Sequence, residues 1–466
     1  IIRKMAAQNI KTVLVSPLPV SEQMMSEECS IADVRMIQDR LSGLVRTVRQ
    51  TAEKRSLSMI DLNRFFLENR LAYDHLFEGR FPDGVAQSAM ASFIAGEILS
   101  LLGVDGFPDP VLSDYRKVYS SAGNPDAYHN AFTDLIYFHK KFFIAFRTGH
   151  SHGVPAHTTS LTEAIMVMSS DDGITWEQDA VLKAAGFDNR DPKFLNMDGR
   201  LFLYAPCTRI SFRSNKPRHE TYGFERMGPG QWSKPFSCAP CVLWRPRQWQ
   251  EKYVAATYAW SDKDAAVKLI SSPDGRKWKI HSVILPVETD GNETDLLVEG
   301  DILTAFSRAG SGKDLLVSQY DPSGNTWKTV STGRIIHAPN VFKVNGRLMI
   351  CGRYCSQSDE GFRELREDWR LFTSGLDSDA DRADAERVEE YHHGLRTGLF
   401  VLDKNTPRLV MEFLSAGDSS YTGVVQYGSE YVFSDYSMHE HYKPIRRPGD
   451  WNTPSDIYLL RIRFRK

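Results

Sequence analysis

Two rhythms of hydrophobic and polar positions divide the chain. Up to about residue 106 the apolar positions are spaced for helices and short buried strands. Thr12-Val-Leu-Val-Ser16 is a β-branched apolar run ending at Pro17-Leu-Pro19, which suits a buried parallel strand. Val34, Ile37, Leu41, Leu44, Val45 and Val48 follow three or four apart, the spacing of one helix face. Ser58-Met-Ile-Asp-Leu62 reads as a second short strand. Ala86–Leu102 reads as another helix, with Met90, Phe93, Ile94, Ile98 and Leu101 on its buried side. After Gly106-Phe-Pro-Asp-Pro110 the period becomes two, aromatic and β-branched residues rise, and Gly, Asn and Asp punctuate short runs. The junction falls between about 106 and 118, giving an α/β segment over 1–112 and an all-β domain over 113–466.

Within the second part a strand, a polar turn and a second strand recur. The copies are Thr133–Arg147, Asp191–Tyr204, Val242–Tyr258, Glu293–Arg308, Asn340–Arg353 and Tyr421–Ser434. Six hairpins at intervals of roughly 45–80 residues predict a six-bladed β-propeller. Asp456–Phe464 is a last strand, expected to close the ring against early propeller residues. Ser356–His393 interrupts the rhythm, and its charged Asp377–Glu390 portion reads as a solvated excursion.

Composition narrows the function classes. The 57 Lys and Arg residues nearly balance 59 Asp and Glu residues, for a net charge of -2, and a nucleic-acid binder would carry a basic excess. No apolar run approaches the roughly 18–20 residues of a membrane helix; Ser92–Val104 is interrupted by Glu97 and Gly96. Cys238-Ala-Pro-Cys241 lacks the second ligand pair of a zinc site and reads as buried thiols or a local disulfide. His439 and His441, two apart in a loop, are a weak metal pair. No metal or other cofactor is expected.

Ser169-Ser-Asp-Asp-Gly-Ile-Thr-Trp176 and Ser271-Ser-Pro-Asp-Gly-Arg-Lys-Trp278 resemble the Asp-box of sialidases, and Asp321-Pro-Ser-Gly-Asn-Thr-Trp327 is a degenerate third copy. The expected role is structural: Asp bonds the N–H groups of its own turn, Gly takes positive φ, and Trp packs between strands. The resemblance extends to possible site residues. Glu293 and Arg308 stand fifteen apart, like a Glu and Arg on neighbouring strands of sialidase blades. Asp191-Pro192 matches the start of their second blade, and Ser420-Tyr421-Thr422-Gly423 resembles the context of their nucleophilic Tyr.

The resemblance implies an exo-glycosidase acting on a glycan that ends in a 2-keto-3-deoxy acidic sugar: sialic acid, Kdn or Kdo. Tyr421 would be the nucleophile and Glu293 its base, a neutral attacker suiting an anomeric carbon that carries a carboxylate. Arg308 would clamp that carboxylate, with Arg353 and Arg396 competing for the next place. Asp191 would contact the substrate. Two departures stand out. Asn130-Ala-Phe-Thr133 replaces the motif carrying the first sialidase Arg, leaving Arg147 and Arg190 as candidates for that charge. The loop expected to carry an acid/base Asp reads Thr148-Gly-His150-Ser-His152-Gly153, so His150 or His152 becomes a candidate for proton transfer, with Glu163 and Asp134 as further ones. A non-catalytic carbohydrate-binding propeller, as lectin or adhesin, is the competing class.

The first segment resembles the C-terminal part of an SGNH (GDSL-type) hydrolase in Val13–Val20, Ile60-Asp-Leu62 and Phe81–Gln87. Asp83-Gly-Val-Ala86 has Ala where that family's triad His would stand, so the segment reads as an inactive or truncated esterase-like domain. The chain opens on Ile1-Ile2-Arg3-Lys4 as if inside a fold, shows no signal peptide, and is expected to be secreted or periplasmic.

Overall fold

All six hairpins form, each extended to a sheet of at least four strands. The computed structural model describes residues 13–15, 31–55, 58–63, 90, 94, 109–122, 128–150, 163–210, 217–259, 266–310, 312–356, 394–441 and 454–465. Asp83, His152, most of the expected helix Ala86–Leu102 and most of the insertion Ser356–His393 lie outside them. Two compact units emerge: Ile1–Asp114 with Val410–Leu414 and Arg463–Lys466, and Tyr115–Leu409 with Ser415–Ile462.

In the first unit, strands Val13–Val15 and Ser58–Ile60 pair in parallel, and helix Ile31–Arg55 runs between them in the chain. Val45 and Ala52 are buried, but Leu44, expected on the same face, is 51% exposed. The expected stripe was drawn too wide by one residue; the buried face follows 45 and 52, seven apart.

The blades are numbered by their innermost strands: His129–Phe138, Lys193–Met197, Val242–Trp249, Gly291–Glu299, His337–Val344 and Ser419–Tyr427. In blades 1, 3, 4 and 5 four consecutive strands form the sheet; blade 2 has short extra strands. Blade 6 takes its third strand from Asp456–Arg465 and its outermost from Asp109–Tyr119, so the ring closes by joining late chain to early chain. Apolar layers fill the seams, such as Phe143, Ile165 and Val167 against Phe194, Leu201 and Leu203 between blades 1 and 2. Cys207, Cys238, Cys241, Cys351 and Cys355 are buried free thiols.

The Asp-box turns behave as their residues require. Asp172 Oδ1 accepts from the N–H groups of Ile174 and Thr175 at 2.7 and 2.9 Å, while Gly173 sits at φ 71°. Asp274 does the same for Arg276, Gly275 takes φ 68°, and Trp278 is buried and donates to Gly275 O at 3.1 Å. Asp321 caps Ser323 N at 2.9 Å in the third turn.

Nearest the axis, the inner strands share one irregularity. Their pairing slips between Ala131 and Asp134, Trp244 and Arg247, Gly291 and Thr294, His337 and Asn340, and Ser420 and Gly423. Phe132, Arg245, Ala338 and Tyr421 take positive φ of 60, 29, 48 and 51° there, and Asp191, just ahead of the innermost strand of blade 2, takes 41°. Thr or Pro follows in every blade: Thr133, Pro192, Pro246, Thr294, Pro339 and Thr422. Such bulges re-aim one side chain per strand. Polar groups two and three places later stitch neighbouring blades: Asp134 Oδ2 accepts from Phe194 N and Asp295 Oδ2 from Val341 N, both at 2.8 Å.

At this level blade 6 has Gly423 where other blades carry Asp134, Lys193, Arg247, Asp295 and Asn340. A Cβ on Gly423 would lie 2.1 Å from Leu135 N. The backbones of blades 6 and 1 therefore meet without room for a methyl group. Gly423→Ala is expected to lower unfolding free energy by about 2 kcal/mol or more; a denaturant midpoint equal to wild type would contradict this close approach.

Candidate active site

The bulges bring Tyr421 and Glu293 together from blades 6 and 4. Thr294 pairs with Ser307, which sets Glu293 beside Arg308 on the next strand of its own blade. Arg308 Nη1 lies 3.0 Å from both Glu293 oxygens, and Ala338 N from blade 5 donates to Oε2 at 2.9 Å. The Tyr421 hydroxyl donates to Glu293 Oε1 in a short hydrogen bond. Arg353, at the end of the second strand of blade 5, lays its guanidinium 5.3 Å from the Tyr421 ring centroid. Its Nε donates to Ser419 O at 2.9 Å, and its Nη2 reaches Asp418 Oδ1 at 2.8 Å.

Electrostatics separate the partners. Burial pushes the Glu293 carboxyl up, but Arg308, the Tyr421 hydroxyl and Arg353 outweigh it and hold the group below its ordinary value. Burial and then the Glu293 charge push the Tyr421 phenol well above its usual range. Tyr421 is therefore neutral at physiological pH and hydrogen-bonded to an ionised carboxylate. Tyr258, partly buried, is raised by burial and by the charges of Glu293 and Asp191.

Asp191 differs from Glu293. Its pKa is raised, by burial first, against the lowering pull of Arg190 and Lys193. Its carboxylate accepts no hydrogen bond among the described residues, and the nearest cationic atom, Arg190 Nε, is 3.8 Å away. Arg190 stacks on Phe132, with 4.8 Å between guanidinium carbon and ring centroid, and Phe132 packs edge-on 4.8 Å from the Tyr421 ring.

The remaining sequence candidates occupy other places. Arg147 is fully buried, with Nε donating to Asp188 Oδ1 at 2.8 Å. Glu163 is buried near it, 4.0 Å from Arg147 Nη2. Asp134 uses one oxygen for Arg245 and the other for Phe194 N, both at 2.8 Å. His150 is exposed just beyond the second strand of blade 1. Arg396 donates to Leu395 O at 2.8 Å, whereas Arg353 is the one that stacks on Tyr421. His439 meets Tyr115 Oη and His441 meets Asp456, at 3.3 and 3.0 Å, so the two rings serve different partners.

Sequence reasoning missed Arg245, Lys193, Asp418 and His129. Arg245 is buried and binds Asp134 and the Thr422 carbonyl, next to Tyr421 in the chain. Lys193 is fully buried, its ammonium 4.6 Å from the Trp244 ring centroid; burial and then Arg245 push it down to about 8. Arg245-Pro246 occupies the repeat position of Asp191-Pro192, so superposing the hairpin repeats would have exposed it.

No protein family matches the chain by sequence, and no curated protein does. Among solved structures it resembles the phage phi92 endosialidase, with a TM-score of 0.51 and 10% identity over 78% of this chain and 70% of that one. Trypanosoma rangeli sialidase in complex with the inhibitor DANA gives 0.47 and 12% identity, over 72% of this chain and 55% of that one. Zg3597, a family 117 glycoside hydrolase of the marine bacterium Zobellia galactanivorans, gives 0.39 and 14% identity, over 54% of this chain and 86% of that one. The chain thus spans little more than half of the trypanosomal chain. Its fold is a sialidase-like six-bladed β-propeller, and its structural neighbours are sialidases and other glycoside hydrolases.

The Glu293 environment carries a pH signature. A depressed folded-state pKa contributes stability that is present above the unfolded value, about 4.3, and is lost as pH falls through the folded value. Wild type is expected to lose unfolding free energy on acidification below about pH 4. Glu293→Gln should show a shallower loss over that range; equal slopes in the two proteins would rule out the arrangement.

Proposed function

We propose that the propeller is a glycoside hydrolase releasing a terminal 2-keto-3-deoxy acidic sugar through a tyrosyl intermediate. The observation that carries this reading is the buried pair in which the neutral Tyr421 hydroxyl donates to ionised Glu293, beside Arg308 and Arg353. The substrate carboxylate sits on the anomeric carbon. An anionic nucleophile about 4 Å from it would meet repulsion of about 4 kcal/mol at an effective dielectric near 20. Tyr421 avoids that repulsion until its proton moves to Glu293.

In the first half-reaction Tyr421 Oη bonds the anomeric carbon, Glu293 takes the phenolic proton, and the glycosidic bond breaks. The departing oxygen takes a proton from an acid. Asp191 is our choice for that role over His150, His152, Glu163 and Asp134, because its buried carboxyl has a raised pKa and no hydrogen bond among the described residues to hold its charge. In the second half-reaction Asp191 removes a proton from water, the water oxygen bonds the carbon, and Tyr421 leaves with the proton held by Glu293. Arg308 and Arg353 hold the carboxylate, and Arg190 on Phe132 supplies the cation that blade 1 lacks. The partner is a glycan ending in sialic acid, Kdn or Kdo. For the α/β segment we propose an inactive esterase-like remnant, on its parallel strand pair and its Ala86.

Free sugar acid released from sialic acid, Kdn and Kdo glycosides tests the reading. Tyr421→Phe should reduce release from the cleaved glycoside by at least about a thousandfold while keeping sugar-acid affinity. Binding without turnover by wild type would instead establish a carbohydrate-binding propeller.

Asp191→Asn should slow alkyl glycosides by about a hundredfold or more. An aryl glycoside such as the 4-methylumbelliferyl derivative, whose leaving group needs little protonation, should lose far less. Equal losses on both would remove Asp191 from the acid role.

A further inference from the structure

A file of buried polar side chains joins the two arginines on either side of Tyr421. Asp418 binds Arg353 through Oδ1 at 2.8 Å and turns Oδ2 to His129 Nε2 at 3.1 Å. His129 Nδ1 lies 3.2 Å from Arg147 Nη1. Arg147 Nε donates to Asp188 Oδ1 at 2.8 Å, and Asp188 Oδ2 accepts from Arg190 Nη1 at 3.3 Å. His129, Arg147 and Asp188 are all fully buried. The file begins and ends on the less buried guanidinium groups of Arg353 and Arg190, which have 13% and 21% side-chain exposure.

The order of donors fixes the middle of the file. Arginine only donates, so His129 Nδ1 accepts from Arg147. The ring proton therefore sits on Nε2 and is donated to Asp418. Asp418 also accepts from the Tyr436 hydroxyl at 2.7 Å, and Tyr436 donates while receiving Arg353 Nη2 at 3.0 Å. Tyr436 and Phe132 pack on the imidazole at centroid distances of 6.2 and 5.8 Å, fixing its plane. One neutral ring thus orients the carboxylate partner of Arg353 directly, and that of Arg190 through Arg147.

We propose that His129 is a positioning residue: as a neutral Nε2–H imidazole it sets Arg353 and Arg190 as a pair, and so determines preference for a carboxylate-bearing sugar over a neutral one. This rests on the reading that those arginines hold the substrate carboxylate. Asp418 leads into blade 6 and His129 begins blade 1, so the same contacts also close the ring. A purely structural role would alter stability and leave ligand preference unchanged.

The test compares calorimetric binding of 2,3-dehydro derivatives of sialic acid, Kdn and Kdo, each as free acid and as primary amide. Wild type should prefer one acid over its amide. His129→Phe, which removes both ring nitrogens, should weaken the acid about tenfold and leave the amide within about twofold. His129→Gln, which offers one acceptor and one donor, should recover most of the difference. Equal weakening of acid and amide, or no weakening in a folded His129→Phe protein, would overturn the proposal. Nitrogen-15 spectra of histidine-labelled wild type give a readout independent of ligand binding. They should show an imidazole protonated at Nε2 alone that is assigned to His129 by its loss in His129→Gln; a proton on Nδ1 would break the file and the inference. Wild type that binds acid and amide alike, or neither, removes the clamp and the parent reading with it. Failure of this inference alone leaves wild-type acid preference intact and the variants unmoved.

Discussion

The irregular start of the inner strands, a register slip in five blades, is the constraint on which the site depends. In a regular strand successive side chains alternate between faces, and those faces are taken up by packing against neighbouring blades. The slip in register frees one residue from that alternation. In four of these blades such a residue takes a left-handed conformation that side chains other than glycine avoid, and Asp191 does so ahead of the inner strand of blade 2, at a cost of about 1–3 kcal/mol each. Local sequence helps: a following Pro cannot donate to the ladder, and a following Thr can use its hydroxyl, as Thr133 does toward Tyr421 O at 2.8 Å. The strain is held by bonds across blades, including Phe194 N to Asp134 and Val341 N to Asp295.

Placed this way, Asp191, Arg245, Glu293 and Tyr421 converge although they are far apart in the chain. Their environments then push similar groups in opposite directions. Glu293 gains Arg308, Ala338 N and the Tyr421 hydroxyl, and these outweigh burial. Asp191 gains no hydrogen bond among the described residues, and burial wins over Arg190. One carboxyl is held ionised and the other is drawn toward its neutral form, a division that suits one as base and the other as acid. Arg245 of blade 3 ties Asp134 of blade 1 to the Thr422 carbonyl of blade 6, next to Tyr421.

Much of the fold was legible because period-two alternation and Asp-box turns are local signals. Asp172, Gly173 and Trp278 perform roles that follow from their chemistry within a few residues. The pairing of Glu293 with Arg308 was legible for a similar reason, since a hairpin turns fifteen positions into adjacent strand positions. What could not be read were contacts made around the ring. His129 meets Asp418 from a separation of 289 residues, and Arg245 meets Thr422 from 177. Spacing says nothing about such pairs until the blade order is fixed. Leu44 shows the opposite error: a local pattern assigned it to the buried face, but the helix buries a narrower stripe through Val45 and Ala52.

Phe132 shows how a neutral ring can bring a charge beside Tyr421. The bulge in blade 1 aims whatever residue it carries toward Tyr421, and here that residue is an aromatic ring 4.8 Å away. A ring cannot pair with a carboxylate, but its face can support a cation. Arg190, placed by the turn that opens blade 2, lies on that face, with Asp188 holding its far nitrogen. A positive charge therefore reaches this ring from the next blade, with Phe132 as its platform. The buried chain from Arg190 through His129 to Arg353 ties this cation to the one stacked on Tyr421. A cation carried across a blade boundary needs an anchor, and Asp188 with the buried groups behind it supplies one.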